Sequence, residues 1–175
     1  MSEQPRRRIE PIADPALDAY RLPDGRPLGL FGMLAHSPAA LADLKGATAR
    51  ALNSTELTPR LRELLILRIL HNYSATAEWQ VHLALFAEAA EISSSDLAAV
   101  RSEEVTLPGL EGALLDLADA LSDRGAVSDE LWRRLHDELG TRSAVQAVFV
   151  GAQYVKVALM NNVLRVAPPL PPQLR

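Results

Sequence analysis

Two proline-opened helix starts constrain this chain more than any other feature. Ser37-Pro38 and Thr58-Pro59 each place a capping hydroxyl before a proline, whose missing N–H and fixed φ suit the first helical position. Apolar runs at helical spacing follow both, "AALADLKGATARAL" and "RLRELLILRILHNY". A third start is expected near Ser74, running through "AEWQVHLALFAEAAE". A fourth lies at Ser93, where Asp96 makes a near relative of the capping box. "GALLDLADALSDRG" and "SDELWRRLHDELG" read as helices closed by glycine, ahead of a long C-terminal helix that the "APPLPP" beginning at Ala167 stops. No segment alternates apolar and polar residues as a strand does, and no internal repeat is evident. The expected fold is therefore all-α, a single-domain helical bundle. Residues 1–27, rich in proline and charge, show no sustained period and are expected to form an arm that wraps the domain or a neighbouring subunit, or is partly disordered. Residues 28–175 form the helical domain.

Composition excludes several classes of function. The chain has no cysteine, so disulfides, thiolate metal sites and cysteine nucleophiles are absent. The net charge of -4 and a single basic cluster, Arg6 to Arg8, which reads as a solvated tail, argue against a nucleic-acid partner. The longest apolar stretch, Ala144 to Met160, is broken by Gln146, Gln153 and Lys156, which favours a buried helix over a membrane span. No leader is visible at the start, so the expected location is the cytoplasm.

Polar residues inside apolar faces carry the functional signal. Advancing about 100° per residue along the second of these helices places Glu63 between the directions of Leu67 and Leu70, with Arg62 and Arg68 pointing elsewhere. Such a carboxylate either pairs with a buried arginine or caps a neighbouring helix, or else takes part in proton transfer. On the following helix Glu78 and His82 share a sector with Leu85, Phe86 and Ala89, while Gln80 and Glu88 face away. Carboxylates beside a histidine fix its tautomer and prepare it as a general acid or base. The ligand types His71, Glu78 and His82 also raise a metal reading, but their spacing matches no familiar site, and no metal is expected. His36 and His136 lie among caps and polar residues and are expected at the surface. Tyr73 and Tyr154 are hydroxyl sources whose simpler role is packing.

These residues resemble a known family. "LTPRLRELLILRILHNYSATAEWQVHLALFAEAAEISSSDLAAV" is similar to the central motif of the carboxymuconolactone decarboxylase superfamily, which includes the AhpD-like alkylhydroperoxidases. "LAHSPAAL" resembles the preceding helix, and the segment from Leu114 to Val166, with Gly151, Tyr154 and a following asparagine, resembles the second half. In the peroxidase branch the motif is a glutamate, C-x-x-C and a histidine. Laid on this chain, the cysteine positions are Ala75 and Glu78, so thiol peroxidase chemistry does not carry over. The decarboxylase branch keeps a glutamate at the second position, matching Glu63, Glu78 and His82, although Ala77 stands where an aromatic is frequent.

The resemblance implies an AhpD-like helical bundle. It also implies a cofactor-free enzyme that carries out proton transfer on a small carbonyl acid or lactone, by decarboxylation or a related lyase or isomerase step. Glu63, Glu78 and His82 would be its catalytic residues, with Trp79, Tyr73 and His71 around the substrate, and it would form a homo-oligomer, trimeric or hexameric. The competing expectation is a non-catalytic or ligand-binding helical oligomer in which the same residues form a buried polar network. A cavity that reaches His82 separates the two, because a sealed and fully paired cluster would need no substrate.

Overall fold

The computed structural model describes residues 7–13, 15–18, 20–53 and 56–169. Seven α-helices account for its regular structure: α1 (Gly29–Leu34), α2 (Pro38–Leu52), α3 (Pro59–Asn72), α4 (Thr76–Leu85), α5 (Ser94–Arg101), α6 (Gly109–Asp123) and α7 (Asp129–Leu164). No strand occurs among the described residues, and the fold is all-α.

The expected caps are in place. Ser37 Oγ accepts from the Ala40 amide and Thr58 Oγ1 from Leu61, each ahead of a proline in the first turn. Ser93 and Asp96 complete a reciprocal capping box on α5. Helical geometry breaks at Gly140, where φ is 73° and only glycine sits without strain, so the two segments expected around this residue form one interrupted α7. The helix following Ser74 is shorter than expected. Ser74 itself is left-handed, α4 begins at Thr76, and Phe86 leaves helical geometry with φ at -127°.

The centre of the bundle is α3. It packs against α4, α5, α6 and α7, so Leu64, Leu65, Ile66, Leu67, Ile69 and Leu70 are all buried. Complete burial of each such side chain contributes about 1.5–3 kcal/mol. Because all faces of α3 are covered, Arg62 and Arg68 are buried as well, contrary to the expectation that they point out of the core. Both are paired, as buried charge requires. The Arg68 guanidinium grips Asp119 of α6 at 2.6 and 2.8 Å and donates to the Val100 carbonyl at 2.8 Å. At the start of α3, Arg60 forks onto Asp96 at 2.8 and 2.9 Å and reaches Glu111 at 2.7 Å, tying α5 and α6 to α3.

By length and composition α7 could cross a membrane. In this fold one side of it is core, with Ala144, Ala147, Val150, Tyr154, Val157 and Ala158 buried, while Val145, Phe149, Leu159 and Val163 are exposed.

The described part of the arm packs on the helical domain. The Ile12 amide donates to the Gly32 carbonyl at 2.9 Å, and Pro11 lies so close to α1 that a Cβ on Gly32 would come within 2.7 Å of it. Residues 21–27 then turn back on themselves through Gly25, whose φ is 83°, and bring Arg26 beneath the bundle edge.

Candidate functional site

Helices α3, α4 and α7 place five polar side chains together: Glu63, Glu78, His82, Tyr154 and Asn161. Glu63 follows the buried Arg62 on α3, and its neighbours Leu64 and Leu67 fix the helix so that its carboxylate faces α4. There Oε2 lies 2.6 Å from His82 Nδ1, and both residues are 1% exposed. Glu63 Oε1 takes an ion pair from Arg62 Nε at 3.2 Å, and Arg62 Nη1 is held by the Leu52 carbonyl at 2.7 Å. The ion pair makes Glu63 the acceptor, so His82 Nδ1 donates to it and Nε2 points away from Glu63.

One helical turn before His82, Glu78 comes within 4.0 Å of Nε2, close enough for charge interaction and too far for a hydrogen bond. Burial pushes the Glu78 carboxyl above the usual carboxylate range; the neighbouring His82 and a hydrogen bond from Asn161 Nδ2 at 3.3 Å oppose that shift. Tyr154 packs edge-on against the His82 ring, with ring centres 4.9 Å apart, and Phe86 lies at 5.0 Å on another side. The Tyr154 hydroxyl is buried without a partner, and burial together with Glu78 and Glu63 holds its pKa well above the usual value, so it is a donor at neutral pH. Asn161 Oδ1 is likewise buried and unpaired.

All of these residues but Glu63, which lies behind His82, line a partly open cavity of about 1250 Å³. His82, Glu78, Tyr154 and Asn161 line it from the bundle side, α2 contributes Leu44, Lys45 and Thr48, and the arm closes the opposite side with Pro11, Leu17, Tyr20 and Arg26. The wall is mostly apolar, with His82, Glu78, Tyr154 and Asn161 forming one polar group within it, an arrangement common in small-molecule sites.

Of the residues expected at the site, Glu63, Glu78 and His82 are together. Tyr73, Trp79 and His71 do not line the cavity. Trp79 is one position after Glu78 and so turns to another face of α4, where its ring meets His71 at 6.2 Å and the Arg101 guanidinium at 4.9 Å. Tyr73 donates to the Ser122 carbonyl on α6 at 3.3 Å. Burial and the nearby Arg68 and Arg101 lower the His71 pKa, which suits a neutral packing residue. His71 is thus apart from Glu78 and His82, and no group of three ligand-type side chains among the described residues is placed to hold a metal. His36 and His136 are at the surface, bonded to the Glu10 carbonyl and to Thr141.

Sequence reasoning gave Asn161 no role of its own and named Tyr154 as a hydroxyl source whose simpler role is packing. A spacing of seven puts them on one face of α7, and two polar side chains on the buried face of that helix are the available signal. The arm offered no comparable signal, since its site residues follow no period.

Searches of protein-family models and of curated proteins find no match for this chain.

Proposed function

We propose that this chain is a carboxymuconolactone decarboxylase-like enzyme that carries out cofactor-free proton transfer on a carbonyl acid or lactone. The observation that carries this reading is a histidine whose Nδ1 is fixed by a buried glutamate while its ring borders an open cavity. A network serving only to specify packing would be sealed and fully paired. Here Tyr154 and Asn161 present unpaired polar atoms beside the cavity.

In this reading the substrate's own conjugated carbonyl accepts the electron pair left when the carbon–carbon bond to the departing CO2 breaks. The resulting enolate is protonated at carbon by His82 Nε2. Glu63, backed by Arg62, keeps the proton on Nδ1 and orients the ring. Glu78, whose carboxyl holds its proton more tightly than usual, returns a proton from the cavity to Nε2, and Asn161 fixes its position. The Tyr154 hydroxyl is placed to stabilise the enolate oxygen, as oxyanion donors do. Isomerisation uses the same acid and base without loss of CO2.

The test is incubation in deuterated water with a panel of lactone acids and β-oxo acids. Product carrying one solvent deuterium at the protonated carbon, formed well above the buffer rate, supports the reading; no turnover of any member defeats it and leaves a non-catalytic binding role for the cavity. Association of copies, as trimer or hexamer, belongs to the same proposal. It is supported by Val145, Phe149, Leu159 and Val163, which recur on one exposed stripe of α7, and is tested by light scattering.

A further inference from the structure

The cavity is lined by basic side chains that the His82 cluster does not use. Lys45 of α2 and Arg26 of the arm both line it. The Lys45 ammonium sits 4.3 Å from the centre of the Tyr20 ring and has no carboxylate partner among the described residues. Arg26 holds Asp24 through Nε at 2.6 Å and through Nη2 at 2.5 Å, while its Nη1 is buried with no hydrogen-bond partner. Asp18, which lines the cavity, is taken by Arg21. A buried guanidinium N–H left without an acceptor is uncommon and marks a place for one.

Most of the remaining wall is apolar, with Leu30, Phe31, Leu44, Leu85, Phe86 and Val157 among its residues. At about 1250 Å³ the cavity exceeds the roughly 300–1,000 Å³ of sites for drug-sized ligands, and it is far larger than a simple lactone acid fills.

We propose that the cavity takes a carboxylic acid with a bulky apolar body, its carboxylate held between Arg26 Nη1 and Lys45 Nζ and its body lying along the apolar wall toward His82. This rests on the reading of the cavity as a substrate site, and the carboxylate concerned is one that the substrate keeps. Arg26 belongs to the arm, so the arm is part of the recognition site as well as its cover.

Calorimetric titration of the full chain with 4-phenylbutyrate and with its neutral amide tests the anchor without requiring turnover. The wild-type chain should bind the acid roughly tenfold or more tightly than the amide, the scale of a lost charge-assisted hydrogen bond. That preference should collapse in both Lys45→Met and Arg26→Gln and persist in Lys45→Arg. Equal binding of acid and amide by the wild type, no binding of either, or a preference that survives in a folded Lys45→Met or Arg26→Gln chain overturns the anchor. Acid preference without any turnover would defeat the proton-transfer reading and leave the anchor standing.

Discussion

His82 Nδ1 and Glu63 Oε2 meet at 2.6 Å from two different helices, 19 residues apart in the chain, with Arg62 closing the far side of the carboxylate. This one contact joins stability to chemistry. It fixes the imidazole tautomer, and it places a glutamate in a core where only pairing makes a charge tolerable.

Glu63→Leu should therefore destabilise the fold by about 3–5 kcal/mol, because Arg62 is left buried without its carboxylate. Urea unfolding followed by circular dichroism measures this. A loss below about 1 kcal/mol would mean that the Leu52 carbonyl alone satisfies Arg62.

Glu78 gives a pH signature. Burial raises its folded-state pKa, so between the ordinary carboxylate range and that raised value the folded chain binds more protons than the unfolded one. Its contribution to stability is present at low pH and is lost as pH rises through the folded value. Glu78→Gln removes the effect, and its stability relative to wild type should climb with pH across that window and then level off. Unfolding midpoints measured from pH 4 to 8 test it, and parallel curves for the two chains would count against a strained Glu78.

Much of this was legible in the sequence. The Ser37, Thr58 and Ser93 caps specify their helix starts locally, and the interruption at Gly140 follows from its backbone freedom, so these elements needed no tertiary information. Helical phase put Glu63, Glu78 and His82 on inward faces, and the family resemblance grouped the three. The burial of Arg62 and Arg68 was not legible, because phase on one helix says nothing about how many neighbours surround it, and α3 is enclosed on all sides. Trp79, Tyr73 and His71 were expected around the substrate, but adjacent helical positions diverge by about 100°, so Trp79 turns away from the face that carries Glu78. The arm's share of the cavity depends on long-range docking that no local pattern encodes.

Tyr154→Phe should separate folding from function. The hydroxyl is buried and unpaired, so its removal should leave stability unchanged or raise it by up to about 1 kcal/mol. Turnover, in contrast, should fall roughly 10- to 1,000-fold if that hydroxyl holds the enolate oxygen. Thermal unfolding and initial rates on the same preparation distinguish this from a packing role, which would move the melting temperature and spare the rate.

Asp96 supplies a control remote from the chemistry. Its hydrogen bonds to Arg60, and secondarily to Ser93, hold its pKa far below the usual aspartate range, so its stabilising contribution is present near neutrality and fades as pH falls. Asp96→Asn should lose about 1–3 kcal/mol at pH 7, with a smaller deficit under acid conditions and normal rates per folded molecule. A deficit independent of pH would contradict the ion-pair account.

The central claim is that His82 is the proton donor of a working site. The measurement that meets it most directly is turnover of the panel of lactone acids and β-oxo acids, including members with bulky apolar bodies, by the wild-type chain beside His82→Asn and Glu63→Gln, with helicity and assembly checked in each. The account predicts turnover by the wild type and a loss on the order of 100- to 10,000-fold in His82→Asn, with Glu63→Gln also impaired. Turnover that persists undiminished in a folded His82→Asn chain would contradict it.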